Sequence, residues 1–224
     1  MSPPERGDRL ESRPHVRLGL TFVRGYARFF HRLEVLSPCP IPATGPAILV
    51  CNHVSGLDPV MLQSACPRLI TWMMAAEYYR NPALNWLLRT IRAIPVERKG
   101  RDFAATRSAL RALDHGDVLG VFPEGRISTS YQVREFQPGI ALLAARSGAG
   151  VFPASIDGDH RHLGMLEAYL QPCRITVAFG HRLDLPAATD GPSMARNSQI
   201  VRAAVEQLHA RVVSSAGLTG PCGT

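Results

Sequence analysis

His53 and Asp58 stand five residues apart, just beyond the apolar run Ala47-Ile48-Leu49-Val50-Cys51. A neutral imidazole can take a proton from a hydroxyl, and a carboxylate on its other nitrogen fixes the tautomer and steadies the imidazolium that forms. On a single helix that spacing would splay the two side chains apart; across a strand-turn-helix corner they can meet. The surrounding residues describe such a corner. Five apolar residues suit a buried strand and are too few for a helix. Gly56 loosens the turn, and Asp58-Pro59 reads as a helix N-cap with proline at the first helical position. Ligands of α/β sheets gather at such strand ends. A turn histidine and a capping aspartate account for the same two residues, so the pair alone leaves both readings open.

A second junction of this kind is Asp117-Val118-Leu119-Gly120-Val121-Phe122-Pro123-Glu124-Gly125-Arg126-Ile127-Ser128. Together the two segments resemble the glycerolipid acyltransferase family, lysophosphatidate acyltransferase type. That family carries Asn-His-x-Ser-x-x-Asp in its first block and Phe-Pro-Glu-Gly with an arginine-containing turn in its third. Asn52, His53, Ser55 and Asp58 match the first; Phe122, Pro123, Glu124, Gly125 and Ser128 match the third. Arg126-Ile127 stands where the commonest form has Thr-Arg, which shifts the arginine by one position. Ala93-Ile94-Pro95-Val96-Glu97-Arg98 is similar to the second block and Gly150-Val151-Phe152-Pro153-Ala154-Ser155-Ile156 to the fourth. Gln137, in Phe136-Gln137-Pro138-Gly139, replaces the lysine of the family's Phe-Lys-x-Gly. The likeness runs from Gly45 to Asp184, with its four blocks in the family's order.

The resemblance implies transfer of a fatty acyl group from an acyl thioester to the free hydroxyl of a lysophospholipid, 1-acylglycerol-3-phosphate above all. His53 is then the general base and Asp58 its orienter. Arg98, Glu124, Gly125 and Arg126 serve the acceptor phosphate, guanidinium suiting a phosphate fork; Glu124 positions Arg126 or meets a substrate hydroxyl. The implied donor is acyl-CoA or acyl-carrier protein, with no bound cofactor and no metal. A thioester carbonyl is already activated, and no G-x-S-x-G nucleophile elbow occurs. Two other classes fit parts of the chain. One is a non-catalytic membrane-surface module that binds lipid through a basic helix. The other is a metal-dependent hydrolase built on Asp157, Asp159, His160 and His162, residues of metal-ligand type crowded into one loop.

The elements that must position these residues form an α/β domain, a mixed central sheet flanked by helices, with an N-terminal amphipathic membrane-surface helix. The chain of 224 residues, 46% hydrophobic, is long enough for one such domain. Residues 1–14 read as disordered, 15–36 as the interfacial helix, 45–213 as the acyltransferase domain and 214–224 as a flexible tail. On a helical wheel Val16, Leu20, Phe22, Val23, Tyr26, Phe29, Phe30 and Leu33 share one half of residues 15–36, and Arg17, Arg24, Arg28, His31 and Arg32 the other. That pattern suits a membrane interface or a core-packed helix with a solvated basic side. Further helices are expected over 82–92, 102–115, 139–147 and 198–213, strands over 69–74 and 174–180, and a loop over 185–197. Trp72, Tyr78, Tyr79 and Trp86 line an acyl-chain groove or pack in the core.

A net charge of +7 and a pI of 9.6 point to an anionic partner. The resemblance narrows this to the membrane lipid surface, the lysophospholipid and the donor, with no nucleic acid. Five scattered cysteines without C-x-x-C spacing suit a reducing compartment. No secretory h-region and no apolar run of about 18 residues is visible. The expectation is a peripheral protein on the cytoplasmic face of the membrane.

Overall fold

In the computed structural model, which describes residues 13–97, 102–128 and 132–216, the apolar run before His53 is a fully buried central strand. Seven strands form one sheet: β1 (Glu34–Val35), β2 (Ala47–Cys51), β3 (Ile70–Ala75), β4 (Ile94–Val96), β5 (Val118–Val121), β6 (Gly150–Gly158) and β7 (Ile175–Phe179). Their order is β1-β7-β6-β2-β5-β3-β4. All neighbours are parallel except β6 and β7, so the sheet is mixed. β2 lies between β5 and β6 and is covered on both faces, which is why its sequence is apolar throughout rather than alternating.

The pleat divides those side chains between two layers. Ala47, Leu49 and Cys51 enter a core shared with Ala27, Leu33 and the helix α2 (Asp58–Ala65). Ile48 and Val50 enter the opposite core, against α4 (Phe103–Asp114), α5 (Gly139–Ser147) and α7 (Gly191–Ala216). The register sets Val50 beside Val121 on one flank and Cys51 beside Ala154 on the other. The chain therefore leaves β2 and β5 at the same level of the same sheet edge. Two motifs about 70 residues apart in sequence meet there.

The N-terminal segment departs from the expected single helix. α1 (Pro14–Gly25) continues into a π-helical turn, Tyr26–Phe30, and the chain then enters β1, which pairs with β7. Residues 15–36 are thus part of the domain, not an appendage to it. Val16 and Ala27 are buried, as are Leu33 and His31. His31, assigned by the wheel to the basic face, is wholly inside because the π turn advances the chain by less than 100° per residue.

Three other differences have local causes. Helix α7 begins at Gly191, seven residues earlier than its sequence suggests. Asp190 accepts the Ser193 backbone N–H at 2.7 Å, and Pro192 lies in the first turn, where its missing N–H costs nothing. The helix runs to Ala216, so residues 214–216 are helical. The rest of the expected tail, residues 1–12 of the expected disordered start, and Arg98 lie outside the described residues. Finally, α6 (Met165–Leu170) is a short helix with no counterpart in the expected order, and α3 spans Pro82–Thr90. No helix among the described residues is long and apolar enough to cross a membrane.

Candidate active site

Asp58 is the first residue of α2, and it does not cap that helix. Its carboxylate turns back into the loop before it. Oδ2 accepts the backbone N–H groups of Val54 and Ser55 at 2.7 and 2.9 Å, and lies 2.9 Å from Nδ1 of His53. Asp-Pro predicts a cap at Asp58, but Leu57 takes the capping position and the tight 53–58 loop claims the carboxylate. Burial acts to raise the Asp58 carboxyl, but hydrogen bonds from His160 and His53 outweigh it and hold it at about 2. It is therefore ionised at neutral pH. An Nδ1–H on His53 facing that charge leaves the lone pair on Nε2. The His53 side chain is 17% exposed and Asp58 not at all, so a hydroxyl reaches the imidazole and not the carboxylate.

The His53 ring is also held by its face. Phe122 stacks on it at 4.1 Å and 16°, and Trp72 in turn stacks on Phe122 at 4.9 Å and 6°. Gly120 makes room for this: a Cβ there would run into the Trp72 indole and the Ile70 side chain. Trp72 thus belongs to the core behind His53, at 2% exposure, and Trp86 lies open on α3.

The backbone of His53 is anchored twice. Its N–H donates to Oε1 of Glu124 at 3.1 Å, and its carbonyl accepts from the N–H of Ser128 at 2.7 Å. Glu124 is buried, which pushes its carboxyl up; the His53 and Arg134 backbone N–H groups partly offset this. Its contact is with the protein, through His53, rather than with Arg126. Gly125 closes the turn, donating to the Phe122 carbonyl at 3.1 Å with φ +71°, a conformation that favours glycine. Arg126 follows, exposed, two residues from the Ser128–His53 bond. His53, Asp58, Glu124, Gly125 and Arg126 are thereby gathered at one edge of the sheet.

Residues outside that set complete the site. Asn52 clamps β2 to β6, its Nδ2 donating to the Ile156 carbonyl at 2.9 Å and its Oδ1 accepting the Ile156 N–H at 3.0 Å. His160 Nε2 lies 2.9 Å from the second Asp58 oxygen. Arg134 brings a further guanidinium to the Glu124 side. The motif quoted for the first block contained Asn52, but its partner is about a hundred residues away and has no signature in sequence.

The proposed hydrolase cluster disperses. Asp157 is paired with Arg161 at 2.8 Å, Asp159 accepts the Arg174 N–H at 3.3 Å, and His160 faces Asp58; for His162 only the backbone is described. Among the described residues, no group of three His, Cys, Asp or Glu side chains is placed to hold a metal ion. Ser155, His209 and Asp157 line up in the manner of a hydrolase triad, but Ser155 is wholly buried and no substrate reaches it.

Residues 32–157 match the acyltransferase family. Over 117 residues the chain is 38% identical to an N-acylphosphatidylethanolamine synthase of Arabidopsis thaliana, covering 47% of this chain and 41% of that protein. It is 27% identical over 119 residues to a 1-acyl-sn-glycerol-3-phosphate acyltransferase of Bacillus subtilis, covering 53% and 59%. The chain spans about half the length of these relatives. The crystal structure of the 1-acyl-sn-glycerophosphate (LPA) acyltransferase PlsC from Thermotoga maritima superposes with a TM-score of 0.68 over 87% of this chain and 81% of that one. At 24% identity, that likeness is one of fold.

Proposed function

The chain belongs to the acyltransferase family, and from that premise we propose that it moves a fatty acyl group from an acyl thioester to the free hydroxyl of 1-acylglycerol-3-phosphate, giving phosphatidic acid. The observation that carries this reading is the 2.9 Å contact between Nδ1 of His53 and a fully buried, ionised Asp58. With Nδ1–H on the carboxylate, Nε2 takes the proton of the acceptor hydroxyl as its oxygen attacks the thioester carbonyl. The C–S bond then breaks, and the departing thiolate receives that proton from the imidazolium. Base catalysis of this kind contributes about 10²–10⁴ in rate. Arg126, Gly125 and Arg98 hold the acceptor phosphate. Glu124 acts one step back, by fixing the backbone of His53. The donor is acyl-CoA or acyl-carrier protein, and the protein works as a peripheral enzyme on the cytoplasmic face of the membrane.

The test is purified protein on lipid vesicles with both donors and a panel of acceptors, the products read by mass spectrometry. The panel contains 1-acylglycerol-3-phosphate, glycerol-3-phosphate, lyso-aminophospholipids and phosphatidylethanolamine. The last is there because one relative is named for N-acylphosphatidylethanolamine synthesis. The expected product is phosphatidic acid, abolished by His53→Ala. An N-acylated product instead would reassign the acceptor to an amine, and lipid binding with no turnover would leave a lipid-binding module. Arg126→Ala is expected to raise KM for the phosphate-bearing acceptor by about 10- to 100-fold, the loss of one charge-assisted hydrogen bond. Equal loss with a phosphate-free acceptor would make Arg126 structural.

A further inference from the structure

Asp58 is bridged by two histidines. Oδ2 faces His53, while Oδ1 lies 2.9 Å from Nε2 of His160, a wholly buried ring carried by the 3-10 turn after β6. The proton transfer described above makes no use of His160. Its tautomer follows from its surroundings. Nδ1 of His160 is buried with no hydrogen-bond partner among the described residues, so a proton there would be an unpaired buried donor. A proton on Nε2 points at a carboxylate.

We infer that His160 is a positioning residue for the reaction: its Nε2–H holds Oδ1 of Asp58, which keeps Oδ2 on Nδ1 of His53. This rests on the reading of His53 as the base. Without that donor, Oδ1 is a charged oxygen in a dry pocket with no compensation, free to turn toward any other donor. The other titratable groups around the pair are Tyr169 and Cys51 toward Asp58, His31 toward His160, and Glu124 at the His53 backbone.

Two variants and one measurement on the unaltered protein test this. In His160→Leu the donor is gone and the Asp58–His53 contact is no longer held, so kcat should fall by about 10- to 100-fold with KM for the acceptor little changed. His160→Gln, whose amide can put an N–H near the place of Nε2–H, should recover most of that kcat. Ring ¹⁵N shifts of the unaltered protein should show His160 protonated at Nε2 and bare at Nδ1. Turnover that depends on His53 but keeps its kcat in folded His160→Leu overturns the inference alone, as does a bare Nε2. Full turnover in His53→Ala would bring down the proposed function and this inference with it.

Discussion

Asp58 accepts four hydrogen bonds, from His53, Val54, Ser55 and His160. A simple helix cap would tolerate asparagine, since Asn and Asp cap equally well. The observed carboxylate would not. If the amide oxygen of Asp58→Asn keeps the Val54 and Ser55 N–H groups, the amide NH₂ faces the Nε2–H of His160. One buried donor is then unmatched, at about 1–3 kcal/mol. We expect turnover to fall by at least about 10²-fold and the melting temperature to fall with it, by roughly 2–4 °C per kcal/mol. A variant with unchanged melting and near-normal turnover would show that neither the fold nor the reaction needs the carboxylate. The pH sense is set by the depressed carboxyl. Folded Asp58 titrates at about 2 against an ordinary 3.8, so its stabilisation is complete above about 4 and is lost as pH falls toward 2.

At the scale of elements, α1 and the π turn have two unlike flanks. One packs through Val16 and Ala27, and Tyr26 donates through its hydroxyl to the Tyr169 carbonyl at 2.5 Å. The other leaves Leu18, Phe22 and Phe29 at 72%, 73% and 85% exposure, among the exposed Arg17, Arg24, Arg28 and Arg32. Isolated arginines on a solvated face require no explanation; three large apolar side chains among them support the proposed membrane contact. Phe22→Ser with Phe29→Ser should weaken sedimentation with anionic vesicles, most clearly after a high-salt wash that screens the arginines. Stability should change by no more than about 0.5 kcal/mol, as for surface positions generally. Retention equal to that of the unaltered protein would remove this face from the account. Deleting residues 15–36 is a different experiment. It takes Ala27, His31, Leu33 and strand β1 out of the fold, and loss of the circular dichroism signal is the expected result.

Across the whole molecule, the N-terminal segment and β7 share one sheet, so acid sensitivity at the N-terminus is felt by the entire domain. His31 is the place to see it. Neither ring nitrogen has a hydrogen-bond partner among the described residues, and burial lowers its pKa from 6.5 to about 4. The unfolded chain takes a proton near 6.5 that the folded chain refuses until about 4. Stability therefore declines as pH falls across that window and declines no further on this account below it. His31→Phe keeps ring-edge contacts with Tyr26 and Phe30, now at 4.7 and 4.9 Å between centroids, and carries nothing to protonate. Its melting temperature should fall less between pH 7 and pH 5 than that of the unaltered protein. Equal falls would place the acid sensitivity elsewhere. The same assembly brings together Cys39 and Cys66, scattered in sequence, whose sulfurs lie 3.7 Å apart as free thiols.

What could be read from the chain alone was whatever local order encodes. A buried parallel strand must be apolar throughout, and Ala47–Cys51 is. A histidine and an aspartate across a short turn can meet, and His53 and Asp58 do at 2.9 Å. A proline after a strand and a glycine with positive φ mark the turn at Gly125. Only the tertiary structure decided the rest. The clamp of Asn52 on Ile156, the stack of His53 on Phe122 and of Phe122 on Trp72, and the bond of Asp58 to His160 join residues far apart in sequence, carried on or just beyond different elements. Their distances depend on the order and register of the sheet, which no local period records. The same holds for His31, which a regular helix would turn toward water and a single π-helical turn buries.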